Sequence, residues 1–221
     1  MKIGLLGGSF NPAHRGHRRI SRHALVVLGL DEVWWLVSPG NPLKSGRSDM
    51  APLPTRLRSA RAMARRLPIR ATAIEARLGT RFTVDTVRAL IRRHPRDRFV
   101  WLMGGDIVGE LHRWRDWRGL ARLVPIAVIG RPGHGGLSER APAARWLRRF
   151  VRPTTAARRW PDWSLPAIVP LALPPDPTAA TAIRDASPDW APRFGAKAVY
   201  DPLARTHIAA NSDKGPSPAH D

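Results

Sequence analysis

The sequence predicts an α/β fold with a mainly parallel, doubly wound sheet and flanking helices. Three features of the chain predict this fold class. Short apolar runs alternate with segments that have helical periodicity. Glycine or proline follows four of the first five apolar runs, at what would be the carboxyl ends of strands. Strands that alternate with helices imply right-handed βαβ units, and the strands of such units are parallel.

The apolar runs predict the strands, and the periodic segments predict the helices. The first run ends in Gly7-Gly8, the second is closed by Pro39-Gly40, and later runs stop at Gly104-Gly105 and Gly130. In the first helix, Ile20, Ala24 and Leu28 share one face. The predicted strands are 1–8, 32–38, 69–75, 99–103, 126–129 and 167–173. The predicted helices are 16–28, 56–66, 83–93 and 108–123, with shorter ones near 142–150 and 181–186.

The regular alternation weakens after Gly133. We interpret residues 134–177, which are rich in Pro, Arg and Trp, as a variable, insertion-like segment. A single Rossmann-like α/β domain is expected to span residues 1–200, with ligands bound at the carboxyl edge of its sheet. Residues 203–221 lack hydrophobic periodicity, which predicts a flexible C-terminal tail.

Composition excludes several classes of protein. The chain has 221 residues, a length that fits one domain. It has no cysteine, which excludes disulfides, thiolate nucleophiles and iron–sulfur clusters. No apolar run approaches the roughly 18–20 residues needed to span a bilayer, and residues 1–9 lack the layout of a signal peptide. We therefore expect a cytoplasmic protein without a membrane partner.

The formal net charge of +20 has two interpretations. Residues 51–100 hold 13 basic and 3 acidic side chains, a block that could bind nucleic acid. Alternatively, the block forms solvated helix faces or attracts small phosphorylated molecules. No interleaving of aromatic and basic residues accompanies the charge, which disfavours a nucleic-acid partner. The residues expected on a solvated face are Arg56, Arg58, Arg61, Arg65 and Arg66.

One segment between the first strand and the first helix carries the clearest chemical information. Its sequence is Gly7-Gly8-Ser9-Phe10-Asn11-Pro12-Ala13-His14-Arg15-Gly16-His17. The paired glycines let the backbone approach a ligand closely, and amides near a helix N-terminus favour anions. His14 and His17 lie three apart, so both imidazoles face one side of a helical turn and could donate to one phosphate chain. The spacing alone also allows two ordinary loop histidines.

This segment resembles the signature of the nucleotidylyltransferase superfamily, whose H-x-G-H motif binds the reacting phosphates of ATP. Later motifs resemble those of the bacterial nicotinate-nucleotide adenylyltransferases, in matching order and spacing. The resemblance covers about residues 1–132 and returns at 178–184. Those motifs are Ser38-Pro39-Gly40-Asn41-Pro42-Leu43-Lys44, Phe82-Thr83-Val84-Asp85-Thr86, Gly104-Gly105-Asp106, Leu111-His112-Arg113-Trp114, Arg131-Pro132-Gly133 and Thr181-Ala182-Ile183-Arg184.

The resemblance implies a role for each matching residue. His14, His17, Lys44 and Arg184 would act on the phosphates of ATP, of the acceptor or of the departing pyrophosphate. Thr83 would meet the nicotinate carboxylate, Trp114 would stack on the pyridine ring, and Asp106 would accept from ribose hydroxyls. The remaining implied contacts to substrate or nucleotide are Gly7, Gly8, Ser9, Phe10, Asn41, Gly104, Arg131, Thr181 and Ile183.

Several of these residues also have structural interpretations. Asp106, Thr83 and Thr86 could cap helices, Lys44 could be solvent-exposed, and of Trp114 and Trp117 one is expected in the core. The family pattern usually has Asp at Asn11 and Ser at Ala179. The substitution at Ala179 puts one phosphate contact in doubt.

The implied reaction is adenylyl transfer from ATP to nicotinate mononucleotide, which yields nicotinate adenine dinucleotide and pyrophosphate in NAD biosynthesis. Mg²⁺ is expected to be carried by the ATP phosphates, without a metal site built from protein ligands. The alternatives are another acceptor, either nicotinamide mononucleotide or pantetheine phosphate, and a basic nucleic-acid-binding protein. The sequence does not determine the oligomeric state, and a homo-oligomer is one of the states that it allows.

Overall fold

The computed structural model describes residues 1–40, 50–130, 141–174 and 180–210. The strands are β1 (Lys2–Gly8), β2 (Glu32–Val37), β3 (Ile69–Thr72), β4 (Arg98–Gly104), β5 (Ile126–Gly130), β6 (Ile168–Ala172), β7 (Ala198–Asp201) and β8 (Thr206–Ala209). The α-helices are α1 (Arg15–Leu28), α2 (Leu53–Ala64), α3 (Ile74–Leu78), α4 (Thr83–Arg93), α5 (Trp117–Leu123), α6 (Pro142–Leu147), α7 (Ala180–Ala186) and α8 (Trp190–Arg193). Short 3-10 helices lie at Gly105–Gly109, Leu111–Arg113, Arg148–Phe150 and Thr154–Asp162.

Six parallel strands form one sheet in the order β3-β2-β1-β4-β5-β6. The chain runs outward from β1 to β3 and then returns to the other side of β1 with β4. The order therefore reverses between β1 and β4, which makes that boundary the switch point of a Rossmann-like sheet. The predicted fold class is confirmed. No helix in the described ranges is both long enough and apolar enough to cross a membrane.

Helices cover both faces of the sheet because the strands alternate their apolar side chains between two cores. Leu6 of β1 belongs to the core under α1 and α2, whereas Ile3 and Leu5 belong to the core under α4, α5 and α6. The helical residues Ala24 and Leu57 close the first of these cores. Because the strands are parallel, the carboxyl ends of all six lie at the same edge of the sheet.

Two predicted elements differ from the structure. The predicted strand 69–75 ends at Thr72, and the chain turns at once into the short helix α3. The predicted helix 108–123 is instead two 3-10 turns followed by α5. The break occurs because Asp116, at φ 44°, starts a new helix by accepting from the Gly119 amide.

The predicted tail begins too early. Strands β7 and β8 pair as an antiparallel hairpin, so residues 203–210 are part of the described fold. The fully buried Asp201 attaches this hairpin to the sheet by accepting from the Thr72 hydroxyl at 2.8 Å and the Ala73 amide at 2.7 Å. Its other oxygen lies 3.4 Å from the Arg61 guanidinium. The remainder of the predicted tail, 211–221, lies outside the described residues.

We expect Asp201→Ala to destabilise the protein by about 3–5 kcal/mol, because it leaves Arg61 without its buried countercharge and the Thr72 and Ala73 donors unsatisfied. Chemical denaturation measures this change in the free energy of unfolding. Asp189→Ala is the matched control, since Asp189 forms an exposed ion pair with Arg193 and should cost less than about 1 kcal/mol. Equal effects of the two variants would contradict a buried anchor at Asp201.

Candidate active site

The loop between β1 and α1 lies at the switch point of the sheet. Phe10 in this loop adopts φ 48°, in the left-handed region, and its ring is buried. The ring stacks on Trp35 at 5.1 Å and contacts the ring of His17 at 4.6 Å. Because the ring is buried, only the backbone of Phe10 is placed to meet a ligand.

His14 and His17 form a capping box at the start of α1. The Nδ1 atom of His14 accepts from the Gly16 amide at 3.2 Å. The Nδ1 atom of His17 accepts from the His14 amide, also at 3.2 Å. Since a neutral imidazole whose Nδ1 accepts must carry its proton on Nε2, both rings present an Nε2–H donor.

His17 is held neutral by its surroundings. Burial, and secondarily the neighbouring His14, lower the pKa of His17 to about 3. The rings of the two histidines lie 3.9 Å apart between centroids, so a charge on one would repel a charge on the other. His17 is therefore a hydrogen-bond donor that does not titrate near neutral pH.

A cavity of about 240 Å³ opens at the carboxyl ends of β1, β2 and β4. The backbone of Gly7, Gly8 and Ser9 forms one wall. A Cβ atom on Gly7 would lie only 2.7 Å from the Trp101 ring, so glycine is required where β1 meets β4. The wall opposite comes from the segments that follow β4 and precede α4. Its residues include Arg81, Phe82, Thr83, Gly104, Ile107, Arg113, Trp114 and Arg115.

An aromatic group lines the far end of this cavity. Trp114 is half-buried and meets Trp101 edge to face, with 6.1 Å between ring centroids. The guanidinium of Arg115 lies 4.6 Å from the centroid of the Phe82 ring. Trp117, in contrast, is buried in the core. The aromatic side chains Phe82, Trp101 and Trp114 therefore give part of the cavity an apolar lining.

The N-terminus of α4 reaches the cavity at Thr83. The helix has no side-chain cap, and its N-cap position is Phe82, so neither Thr83 nor Thr86 caps it. The first-turn amides of a helix have no acceptor within the helix and attract anions. Asp106, which the sequence suggested as a cap, likewise makes no capping hydrogen bond, and it is exposed beside Gly104.

Glu75 lines the same cavity and was missed by the sequence analysis. Burial raises the pKa of Glu75 to about 7, against the opposing effect of hydrogen bonds from Thr86 and Ser38. An acidic residue at the predicted carboxyl end of a strand was the available signal. The predicted strand over residues 69–75 does not place Glu75 at the edge of a cavity, because it runs through the turn into α3.

Arg184 connects the distant helix α7 to the loop after β1. Its Nη1 donates to the Asn11 carbonyl at 2.8 Å, and its Nη2 donates to the Thr181 hydroxyl at 3.3 Å. These contacts place a guanidinium beside the loop that leads to His14 and His17. Ile183 is half-buried and Thr181 is exposed on the same helix.

The prediction of a solvated basic face on α2 is wrong for Arg56. Its side chain is fully buried, and its guanidinium donates to four carbonyls: Ala51 at 2.7 Å, Ser9 at 2.9 Å, Ser38 at 2.7 Å and Pro39 at 3.1 Å. Arg61 is half-buried against Asp201, whereas Arg58, Arg65 and Arg66 are exposed as expected. Arg56 therefore joins the loops that follow β1 and β2.

Asn11 supports the same junction. Its side chain is buried, and its Oδ1 accepts from the Ala51 amide at 3.0 Å. A neutral amide meets this need without placing a second charge in the interior. The replacement of the family's usual Asp is therefore compatible with the structure.

The predicted site residues fall into three sets. Gly7, Gly8, Ser9, Thr83, Gly104 and Trp114 line the cavity. The described residues that do not line it are Phe10, His14, His17, Asp106, Thr181, Ile183 and Arg184. Asn41, Lys44, Arg131 and Ala179 lie outside the described residues. Among the described residues, no group of three or more His, Asp or Glu side chains is arranged to hold a metal ion.

The sheet and the site together define a class of protein. A Rossmann-like sheet, an amide-lined loop at its switch point and two imidazole N–H donors form a site for a phosphate chain. The adjoining cavity has room for a planar ring beside that chain. These features are those of a nucleotide-binding group-transfer enzyme.

Comparison with known proteins identifies the same class of protein. The family model described as cytidylyltransferase-like matches residues 5–186. A relative from Erythrobacter litoralis, named "Probable nicotinate-nucleotide adenylyltransferase", is 54% identical over 208 residues, which cover 94% of each chain. A relative of the same name from Parvibaculum lavamentivorans is 51% identical and covers 84% of this chain and 92% of its own. The chain belongs to the cytidylyltransferase-like family, among its nicotinate-nucleotide adenylyltransferases.

Solved structures agree on the fold. The Plasmodium falciparum nicotinic acid mononucleotide adenylyltransferase complexed with NaAD superposes with a TM-score of 0.61 at 15% sequence identity. The match covers 83% of this chain and 82% of that one. The same enzyme complexed with APC gives a TM-score of 0.55.

We expect Arg56→Lys to destabilise the protein by about 2–4 kcal/mol, because a single ammonium group cannot replace a planar guanidinium that reaches four carbonyls. Chemical denaturation measures the change. Arg65→Lys is the control, since Arg65 is exposed at the C-terminal end of the same helix and should change stability by less than about 0.5 kcal/mol. Wild-type stability in Arg56→Lys would contradict the role of Arg56 in joining the two loops.

Proposed function

We propose that this chain transfers the adenylyl group of ATP to nicotinate mononucleotide and releases pyrophosphate. The observation that carries the proposal is the capping box of His14 and His17, which fixes two Nε2–H donors at the switch point of the sheet. The high identity to relatives named nicotinate-nucleotide adenylyltransferase over most of the chain supports the same reaction.

The reaction needs little acid–base chemistry. The phosphate of the acceptor is already an anion, and it attacks the α-phosphorus of ATP in line with the departing pyrophosphate. One P–O bond forms as the other breaks. The enzyme accelerates this step by holding the two phosphates in line and by stabilising the negative charge of the transition state.

The residues around the first loop supply that stabilisation. We assign the Nε2–H groups of His14 and His17 to the α-phosphoryl oxygens and the guanidinium of Arg184 to the pyrophosphate. Neutral His17 suits this role because its Nε2–H group donates a hydrogen bond and does not titrate near neutral pH. Lys44 and Arg131 are proposed as further phosphate contacts, and Asn41 as a substrate contact, from the sequence motifs alone.

The cavity is proposed to bind the pyridine end of the acceptor. Trp114 would stack on the ring, and Thr83, with the first amides of α4, would bind its carboxylate. Gly104 and Asp106 would contact adenosine, with Asp106 accepting from the ribose hydroxyls. The backbone of Gly7, Gly8, Ser9 and Phe10 would line the path between the two substrates, with Thr181 and Ile183 on its α7 side.

The donor groups of the protein fit Mg²⁺ only as an ion that is already bound to the substrate. The protein groups at the phosphate end are N–H donors and cations, which bind phosphate oxygens and not metal ions. Mg²⁺ bound to the ATP phosphates would neutralise part of their charge during transfer. The cytoplasmic location remains a prediction from the sequence, which leaves the oligomeric state open.

We expect His17→Ala to lower kcat/KM for pyrophosphate release by about a hundredfold or more, since it removes a donor to the reacting phosphate. The assay contains ATP, Mg²⁺ and nicotinate mononucleotide, and parallel reactions replace the acceptor with nicotinamide mononucleotide or pantetheine phosphate. His23→Ala, further along α1, is the control and should retain activity. Turnover with none of the acceptors, or unchanged turnover in His17→Ala, would refute the assignment.

A further inference from the structure

Trp101 of β4 is a buried tryptophan whose indole N–H has no hydrogen-bond partner among the described residues. The side chain is 2% exposed and lines the cavity at the carboxyl ends of the strands. Within the described ranges, no acceptor lies within hydrogen-bond distance of its Nε1 atom, which is also shielded from solvent. A buried donor without an acceptor costs free energy, and such groups are rare in folded proteins. This N–H group therefore needs a physical explanation.

The other three tryptophans that are equally deeply buried satisfy the same group. Trp34 donates to a carboxylate at 2.9 Å, Trp35 to a hydroxyl at 2.7 Å and Trp160 to a backbone carbonyl at 3.1 Å. None of these three side chains lines the cavity. The deeply buried tryptophan without a partner is therefore the one that lines the proposed acceptor site.

The protein groups around Trp101 do not supply the missing acceptor. One edge of its ring faces the backbone of Gly7, where a Cβ atom would lie 2.7 Å from Cη2. The ring also meets the apolar ring of Trp114 edge to face. Glu75 lines the same cavity, but its Oε1 accepts from a threonine hydroxyl at 3.2 Å, and it is not within hydrogen-bond distance of the indole. An acceptor that enters the cavity with a ligand would satisfy the donor.

The charge of the cavity favours an anionic ligand atom. The N-terminus of α4, with its unpaired amides, reaches the cavity at Thr83. Three guanidinium groups line the cavity as well, those of Arg81, Arg113 and Arg115. An indole N–H can donate a hydrogen bond and cannot accept one. A carboxylate oxygen suits both the positive potential and the unpaired donor.

We propose that Trp101 is a specificity-determining residue of the acceptor site, whose indole N–H donates a hydrogen bond to the carboxylate of the nicotinate ring. The proposal rests on the proposed function of the cavity. A hydrogen bond to an ionised oxygen is roughly twice as strong as one to a neutral oxygen, so this donor favours nicotinate over the carboxamide of nicotinamide. Because Nε1 is shielded in the free protein, the side chains that cover it have to move when the ring enters.

The first test is the ratio of kcat/KM for nicotinate mononucleotide to kcat/KM for nicotinamide mononucleotide in Trp101→Phe. This variant keeps an aromatic ring and removes the N–H group. Loss of a hydrogen bond to a charged group should lower kcat/KM for nicotinate mononucleotide about tenfold or more. The ratio should fall about fivefold, because the neutral carboxamide loses a weaker bond.

A loss of packing alone would lower both values of kcat/KM equally, so an unchanged ratio in Trp101→Phe would overturn the inference. Turnover of the wild type with neither acceptor would instead refute the proposed function. The two failures are therefore distinguishable.

Trp34→Phe is the matched control. Trp34 is buried in the same core as Trp101, does not line the cavity, and has an indole N–H that is already paired with Glu32. The variant removes the same atoms from the same core, so it should leave the ratio at the wild-type value. An equal fall of the ratio in both variants would assign the effect to packing and contradict the inference.

The indole ¹H–¹⁵N resonance of Trp101 tests the hydrogen bond directly in the wild-type protein. The probe is nicotinate adenine dinucleotide, which carries the same carboxylate and does not react without pyrophosphate. We expect the indole proton resonance to move to lower field on binding, and to move less with nicotinamide adenine dinucleotide. The resonance is identified by its absence from the spectrum of Trp101→Phe. A resonance that does not move means that the N–H is paired elsewhere, which would overturn the inference.

A second variant keeps both tests decisive if Trp101→Phe does not fold. Benzothienylalanine at position 101 has sulfur in place of the indole N–H and nearly the same shape, so the packing is retained and the donor is lost. It should lower the ratio about as much as Trp101→Phe, and it identifies the resonance in the same way. A wild-type ratio in this variant would contradict the assignment of a donor to Trp101.

Discussion

The buried guanidinium of Arg56 is the interaction on which the site depends. Two loops at the carboxyl edge of the sheet expose carbonyls that strand pairing does not use, at Ser9 after β1 and at Ser38 and Pro39 after β2. One planar cation on α2 binds all three from within the protein. The loops can therefore turn their remaining groups toward the cavity, and the spacing between them follows from the size of one side chain.

In the proposed function, the histidines of the first loop serve the fold and the reaction with different atoms. Each uses Nδ1 to satisfy an amide at the start of α1, and this fixes the proton on Nε2. Helix capping thus determines the tautomer that a phosphate requires. The packing of His17 against Phe10 holds the same ring in place and keeps it neutral. The structural and chemical roles of these residues cannot be separated, because one hydrogen bond produces both.

Neutral groups and permanent cations together determine the electrostatic potential of the site. His17 and Glu75 are both driven toward their uncharged forms by burial, while Arg81, Arg113 and Arg115 line the cavity as permanent cations. Many other basic side chains of the described residues are exposed on helices, among them Arg58, Arg92 and Arg118. In the proposed function, a few oriented donors would bind the phosphates and the carboxylate, and the overall charge of the chain is a poor guide to the site.

The sequence by itself determined the alternation of strands and helices, the parallel sheet and the loop from Gly7 to His17, because periodicity, glycine pairs and histidine spacing are local properties. Thr83 and Trp114 were predicted through the resemblance to a known family, whose motifs they match. Only the tertiary structure decided that Arg56 is buried, that Asp201 anchors a hairpin and that Glu75 faces the cavity. Each of these depends on contacts with residues distant in the sequence, up to 129 positions away, and burial, which sets their charge and partners, is not encoded in any local pattern.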